Sequence, residues 1–162
     1  MKKFTLSVLV ENKFGVLARI AGLFSARGFN IDSLSVAPTE DPTLSRIVMV
    51  VSADEKTLEQ IKKQLNKLID VVKVIDLTKK EYAERELVLV KVKIDSKSRD
   101  KVIRIVDSLN AKVLASGKES LTVQEIGDDN KIDATLRLLQ PFGIIEIVRT
   151  GKIAIQVEGK QE

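Results

Sequence analysis

The sequence predicts an α+β fold of two tandem βαββαβ domains, covering residues 1–78 and 85–162 and joined by a linker at 79–84. Three observations predict it. Stretches in which apolar and polar residues alternate, as in half-buried strands, are interleaved with stretches in which apolar residues recur at helical spacing. The order strand, helix, strand, strand, helix, strand occurs twice. A charged stretch without large aliphatic residues separates the two runs, and each run matches the ferredoxin-like plan.

The first domain shows this order most clearly. Its strands are predicted at residues 5–10, 31–37, 46–51 and 71–77. A helix follows the turn at residues 11–15, because apolar residues recur at helical spacing from Val16 to Phe24. Gly28 is suited to the position just beyond the end of that helix, and Asp54 is suited to cap a second one. The apolar face of the second helix carries Leu58, Ile61, Leu65 and Leu68.

The second domain repeats the order of elements without a clear residue-by-residue repeat. Its strands are predicted at residues 88–94, 113–115, 121–126, 144–148 and 153–157. One helix is lined by Val102, Ile105, Val106 and Leu109, and a second begins at Asp129 or Asn130 and ends before Pro141. Each domain therefore buries one face of its sheet under two helices, and the other face meets water, a partner or a second copy.

Strand residues of the first domain are apolar toward both faces, which favours association. The strand at 71–77 supplies apolar side chains to both sides, and Leu9 adds one to the outward row of the first strand. A sheet that is apolar on both faces usually associates, so we expect a homodimer with twofold symmetry, by sheet-to-sheet or edge-to-edge pairing.

Composition excludes several classes of chemistry. The 162 residues include no Cys and no His, which removes disulfides, thiolate nucleophiles, zinc fingers and Ser-His-Asp triads. The net charge is +4 and acidic residues are interspersed among the basic ones, so no nucleic-acid-binding surface is indicated. Neither a signal peptide nor an apolar stretch of membrane-spanning length is evident, and the expected location is the cytoplasm.

The turn between the first strand and the first helix is the best candidate for a binding site. Free N–H groups at a helix start attract carboxylates, and Gly15 would let a ligand carboxylate approach the amides of Val16 and Leu17. Asn12 and Asn30 each both donate and accept hydrogen bonds, so they suit the polar groups of an amino acid. We expect Asn30 to come from a neighbouring strand or from a second subunit. Apolar side chains for a pocket are Leu9, Leu17, Ile31 and Val36.

Other interpretations of these residues remain open. Asn12, Gly15 and Asn30 are also ordinary turn and capping residues. The same fold occurs in RNA-recognition domains, but the predicted central strands contain no aromatic residue for base stacking. The sequence from Gly15 to Arg19 faintly resembles an acylphosphatase phosphate loop whose remainder is missing. Glu40 and Asp41 suit a solvated loop better than a metal site.

Residues 6–31 resemble the start of the small, regulatory subunit of acetolactate synthase, above all in the turn at residues 11–15 and at Gly28-Phe29-Asn30. The resemblance continues through residues 36–46, Gln60, 64–68, 70–71, 84–87, 89–91, 141–144 and 149–151, and so covers nearly the whole chain. A general amino-acid-binding ACT domain would share only the fold and the Gly15 turn, so this long match is specific.

The resemblance implies a non-catalytic partner of a thiamine-diphosphate enzyme in valine, leucine and isoleucine synthesis. Family members dimerise through an N-terminal ACT domain, here residues 1–78, and bind valine at that interface. They activate the catalytic subunit and let valine inhibit it. The family's effector residues correspond to Asn12, Gly15 and Asn30, with the neighbouring Val16, Leu17 and Ile31. Thiamine diphosphate, magnesium and FAD are implied for the catalytic large subunit and not for this chain. The alternative is a free-standing ACT-type amino-acid sensor.

Overall fold

The structure is a computed structural model that describes residues 1–158. These residues form two compact units. The first contains Met1–Ala83 together with the chain from Lys152 onward, and the second contains Glu84–Gly151. Both units have the predicted α+β architecture, with helices on one face of an antiparallel sheet.

In the first unit, strands and helices follow the predicted order. They are β1 (Lys2–Glu11), α1 (Val16–Ala26), β2 (Ile31–Pro38), β3 (Leu44–Ala53), α2 (Glu55–Asn66) and β4 (Val71–Asp76), followed by a 3₁₀ turn at Leu77–Lys79. The sheet order β2-β3-β1-β4 leaves β2 and β4 as edges. Asp54 caps α2 as predicted, because its side chain accepts a hydrogen bond from the Thr57 amide.

The core of the first unit lies between the sheet and its two helices. Alternate residues of β1 and β3 face the helices, and these residues are buried with the apolar faces of α1 and α2. Val8 and Met49 are completely buried there. The predicted alternation of apolar and polar residues along β1 and β3 therefore reflects the burial of one face of the sheet under the helices.

The other face of this sheet is covered at its centre by the chain itself. Val48, Leu77 and Ala154 form a small buried cluster, against which Ile75 and Tyr82 pack. Ala154 belongs to the last strand, β9 (Ile153–Gln156), which pairs with β5 (Tyr82–Lys93). The apolar outward side chains of β3 and β4 thus have an intramolecular partner, and the expectation that this whole face meets water or another molecule was wrong at its centre.

Helix α1 ends in a motif that fixes the path toward Asn30. Gly28 has a φ of 66°, and its amide donates to the Ser25 carbonyl while the Phe29 amide donates to the Phe24 carbonyl. This is a Schellman C-cap, and the rings of Phe24 and Phe29 pack edge to face beneath it. The predicted role of Gly28 is confirmed.

The second unit repeats the topology. After β5 come α3 (Arg99–Ser108), β6 (Lys112–Ser116), β7 (Ser120–Gly127), α4 (Asp129–Leu139), a 3₁₀ turn at Gln140–Phe142 and β8 (Ile144–Arg149). The sheet order is β6-β7-β5-β8. Its core combines the inward residues of β5 and β7 with the apolar faces of α3 and α4.

The chain is divided differently from the predicted boundaries of 1–78, 79–84 and 85–162. The segment predicted to be a linker holds the end of the 3₁₀ turn and the start of β5. The segment from Lys152 groups with the first unit because Ala154 packs on Val48 and Leu77. Residues 159–162 of the predicted second domain lie outside the described residues. None of the helices in residues 1–158 is long and apolar enough to span a membrane.

Candidate functional site

The turn between β1 and α1 leaves the start of the helix without a side-chain cap. Gly15 occupies the N-cap position with a φ of 81°, in the left-handed region that favours glycine. The Val16 amide donates to the Lys13 carbonyl at a long 3.4 Å, and no side chain caps the first turn. The amides of Val16 and Leu17 were both predicted to meet a ligand carboxylate. Of these two, the Leu17 amide has the greater capacity left to donate a hydrogen bond.

Asn12 connects this turn to the loop between β2 and β3. Its backbone amide donates to the Thr43 carbonyl at 2.7 Å, and its side-chain Nδ2 donates to the Pro42 carbonyl at 2.9 Å. Both bonds hold Asn12 against the hairpin at the end of β2. Because the side-chain N–H is used in this way, the amide oxygen is the group left to accept a bond from a ligand.

An arginine that was not among the predicted site residues lies beside Gly15. Arg19 Nε donates to Asp70 Oδ2 at 2.7 Å, and the Arg19 side chain is 51% exposed. Its Nη1 lies 3.1 Å from the place that a Cβ on Gly15 would occupy. A guanidinium and a helix start therefore lie side by side, and both favour an anion. Asp70 is distant in sequence, so no local pattern indicated this pair.

Asn30 lies in a second hydrogen-bonded group. Its Nδ2 donates to Asp32 Oδ1 at 2.8 Å, and the Ser52 hydroxyl donates to Asp32 Oδ2 at 2.5 Å. The amide oxygen of Asn30 is again the acceptor that remains. Asp32 carries the charge of this group and was not among the predicted residues.

The two groups lie at opposite ends of the same sheet. Ile31 pairs with Val51, and Val51 pairs with Phe4 near the beginning of β1. Gly15 follows Glu11 at the other end of β1. Phe4 and Glu11 are seven positions apart on β1, which is roughly 23 Å at the usual rise per residue. Within one chain, Asn30 does not meet Asn12 and Gly15, so a neighbouring strand of the same chain is excluded as its source.

The four predicted pocket residues are also not together in one chain. Leu9 lies on the face of the sheet away from the helices, because its neighbours Val8 and Val10 are buried under them. Val36 pairs with the inward-facing Ile47 and is 44% exposed. Leu17 is 41% exposed on the first turn of α1, while Ile31 is half-buried beside Asn30 at the other end.

Asp41 has a structural role in the hairpin between β2 and β3. Its Oδ1 accepts bonds from the Thr43 hydroxyl and amide, and these bonds lower the pKa of the Asp41 carboxyl. Within residues 1–158 no group of three or more acidic side chains is arranged to hold a metal ion. Asp41 thus fixes the hairpin that receives Asn12.

The second unit contains an open groove of about 580 Å³ between α4 and β8. Apolar side chains line it beside one acidic and one basic residue of α4. The lining residues are Asp133, Leu136, Arg137, Gln140, Ile144 and Ile147. This groove is the competing location for a small ligand, and the sequence patterns did not indicate it.

Comparisons with known families match both halves of the chain. Residues 6–73 match the family described as AHAS small subunit-like ACT domain, and residues 85–158 match the family described as small subunit of acetolactate synthase. The first match contains the β1–α1 turn, Asn30 and Asp32. The second spans α3 and α4 and reaches past β9.

Individual relatives agree with the family matches. The acetolactate synthase small subunit of Mycobacterium leprae is 52% identical over 151 residues, covering 93% of this chain and 89% of the relative. That of Haemophilus influenzae is 47% identical, with 93% of each chain covered. The crystal structure of the acetolactate synthase small subunit from Thermotoga maritima superposes with a TM-score of 0.87 at 37% identity, covering 98% of this chain and 99% of that one.

Proposed function

The chain belongs to the family of acetolactate synthase small subunits, and we propose that it activates a catalytic large subunit and makes it sensitive to inhibition by valine. Membership makes it a regulatory subunit, whose partner is the large subunit of the synthase. Catalysis, and with it thiamine diphosphate, magnesium and FAD, belongs to that partner in this proposal.

One observation carries the effector site. Asn12 and Gly15 lie at one end of the first sheet and Asn30 lies at the other, while the edge of β2 has no partner within the first unit's sheet. A twofold axis that pairs β2 with β2 of a second copy runs the two strands antiparallel. The end of β2 in one copy then lies beside the start of β2 in the other.

This pairing would bring the separated residues together. Asn12 is held to the hairpin that follows β2, and Asn30 directly precedes β2. In the proposed dimer, Asn12 and Gly15 of one copy face Asn30 of its partner, so each dimer has two equivalent effector sites. The free N–H and C=O groups of the β2 edge supply the pairing, as exposed strand edges do in other assemblies.

The chemistry of the two ends fits a zwitterion. The helix start and Arg19 favour the carboxylate of valine, and the amide oxygens of Asn12 and Asn30 accept bonds from its ammonium. Leu17 of one copy and Ile31 of the other would contact the isopropyl group. One methylene changes affinity by only about 1–3 kcal/mol, so leucine and isoleucine are expected to bind the same site more weakly.

Regulation follows from differential binding. Valine inhibits only if it binds one arrangement of the dimer more tightly than the arrangement that activates the synthase. A coupling free energy of about 1–3 kcal/mol corresponds to a change in affinity of roughly 5- to 150-fold. The proposal requires no direct contact between valine and the catalytic subunit.

Reconstitution tests the proposal. The full chain is mixed with the catalytic subunit, and synthase activity and co-purification are measured with and without valine. We expect activation by the chain and loss of activity on adding valine. A chain that binds valine but neither co-purifies with the synthase nor changes its rate is a free-standing sensor, which contradicts the proposal.

A further inference from the structure

We propose that Asp32 makes the effector site prefer an amino acid over the 2-oxo acid with the same side chain. The inference rests on the proposed function, because it concerns the same site between two copies of the first unit. It assigns Asp32 two tasks. One is to hold the Asn30 amide in position, and the other is to place a negative charge near the ligand ammonium.

A bulge in β2 directs the Asp32 side chain toward Asn30. Ile31 pairs with Val51 and Ser33 pairs with Val50, so Asp32 is an extra residue with no partner opposite it on β3. Such bulges turn the side chain of the extra residue and recur beside functional sites. Here the turned side chain reaches Asn30 in the preceding loop and Ser52 on β3.

The carboxylate of Asp32 is exposed but held through both oxygens. Oδ1 accepts a bond from Asn30 Nδ2, and Oδ2 accepts a bond from the Ser52 hydroxyl. The first bond fixes which end of the Asn30 amide is used, so the amide oxygen is left as an acceptor for the ligand. A group bound to that oxygen is separated from the Asp32 carboxylate only by the side-chain amide of Asn30.

The two ends of the first unit have opposite character. The Gly15 end presents a helix start and the Arg19 guanidinium, which favour a carboxylate. The Asn30 end presents Asp32, which favours a cation. Twofold pairing through β2 brings the anion-binding end of one copy to the cation-binding end of its partner, and an amino acid satisfies both ends together.

The 2-oxo acid of valine isolates the contribution of Asp32. It has the same carboxylate and isopropyl group as valine, so the helix start and Arg19 bind both ligands in the same way. It lacks the ammonium and has a carbonyl oxygen in its place, which repels the amide oxygen of Asn30 and the Asp32 carboxylate. The ratio of the two dissociation constants therefore reports on the groups that meet the ammonium, and the change of this ratio in an Asp32 variant reports on Asp32.

The test uses the full chain and isothermal calorimetry with valine and with its 2-oxo acid. The wild-type chain should bind valine at least about tenfold more tightly, as a charge-assisted contact predicts. Asp32→Asn keeps the size and one acceptor oxygen but removes the charge. It should weaken valine binding about tenfold, while binding of the 2-oxo acid stays the same or tightens because a repelling charge is gone, so the preference is lost. Asp32→Glu should restore part of it.

Ser52→Ala is the matched control, because it removes one support of Asp32 and keeps the charge. It should retain the preference for valine within about threefold. A wild-type chain that binds both ligands equally overturns the inference without any variant, and so does an Asp32→Asn chain with an unchanged ratio. A wild-type chain that binds neither ligand, alone or with the synthase, overturns the proposed function instead.

Discussion

Arg19 donates from Nε to Asp70 at 2.7 Å across the base of the β1–α1 turn. Asp70 is buried, and its backbone carbonyl also accepts a bond from the Glu11 amide at 2.9 Å. The first turn of α1, the end of β1 and the loop before β4 are thereby joined at one residue. This arrangement holds the Arg19 side chain against Gly15. A side chain at position 15 would therefore crowd the Arg19 guanidinium, whereas glycine does not.

Gly15→Asp should abolish the response to valine while the chain remains folded. The positive φ at this position costs a residue with a Cβ about 1–2 kcal/mol, which a folded domain tolerates. The new carboxylate would lie beside Arg19 and occupy the place of the ligand carboxylate. Calorimetric titration with valine and the far-ultraviolet circular dichroism spectrum measure the two effects.

Gly22→Asp is the control for this variant. Gly22 lies in the exposed part of α1, and a Cβ there meets no atom within 4 Å. Valine binding should be unchanged in Gly22→Asp. Normal valine binding in Gly15→Asp would remove the β1–α1 turn from the site.

Asn30→Ala should weaken valine binding about tenfold, since it removes one neutral hydrogen-bond acceptor and frees Asp32. The dimer should persist, because the proposed β2 pairing uses backbone groups. Calorimetry and sedimentation velocity give the two readouts. Asn130→Ala, which changes an exposed residue of α4, should alter neither. Undiminished valine inhibition of an Asn30→Ala complex would contradict the site.

Arg149→Ala should destabilise the second unit by about 2 kcal/mol. Arg149 forms two hydrogen bonds with Glu86, which raise the pKa of the guanidinium, and only 5% of the Glu86 side chain is exposed. Removing the arginine leaves that carboxylate buried without its partner. The expected loss is below the usual 3–5 kcal/mol for a buried pair, because 44% of the Arg149 side chain reaches solvent.

Denaturant unfolding measures this loss. Adding Glu86→Gln to Arg149→Ala should recover part of the stability, because the uncompensated charge is gone. Lys91→Ala removes the exposed ion pair with Glu146 and should change the free energy of unfolding by less than about 1 kcal/mol. Equal losses from Arg149→Ala and Lys91→Ala would show that the burial of Glu86 does not matter.

Ala154→Asp should destabilise the first unit, although residue 154 lies near the end of the chain. Ala154 is packed with Val48 and Leu77, and a carboxylate there would be buried without a partner. The expected cost is about 2–4 kcal/mol. Hydrogen exchange of the β3 amides should speed up. Ile155→Asp, at a side chain on the same strand that is 69% exposed, should leave this exchange nearly unchanged; a similar effect of both variants would argue against the packing of β9.

Asp54→Ala should lower the melting temperature by a few degrees at neutral pH, with a difference that fades in acid. Hydrogen bonds from Thr57 to the cap lower the pKa of Asp54 below its ordinary value. Because the folded pKa is the lower one, the carboxylate stabilises the fold above about pH 4 and loses this effect as pH falls through the folded pKa. Thermal melts from pH 7 to pH 2 check it, and a constant difference across that range would contradict the capping role.

Local sequence patterns predicted much of the fold. The alternation in β1, the apolar spacing of α1 and α2, the glycine at position 28 and the cap at Asp54 each depend on residues that are close in sequence. These patterns also sufficed for the resemblance to the regulatory subunits. The turn at Gly15 was identified because a helix start and a positive φ both have local signatures.

Relations between distant segments were decided by the tertiary structure. The length of β1 places Asn30 far from Asn12, and for this reason the proposed site takes Asn30 from a second copy. Strand register creates the bulge at Asp32, and packing on Val48 returns β9 to the first unit. Register and packing depend on contacts between residues many positions apart, and the pattern within one segment does not contain them. The sequence by itself determined Asn12, Gly15 and Asn30 as candidate effector residues, and only the tertiary structure placed Arg19 and Asp32 beside them and Asn30 at the opposite end of the sheet.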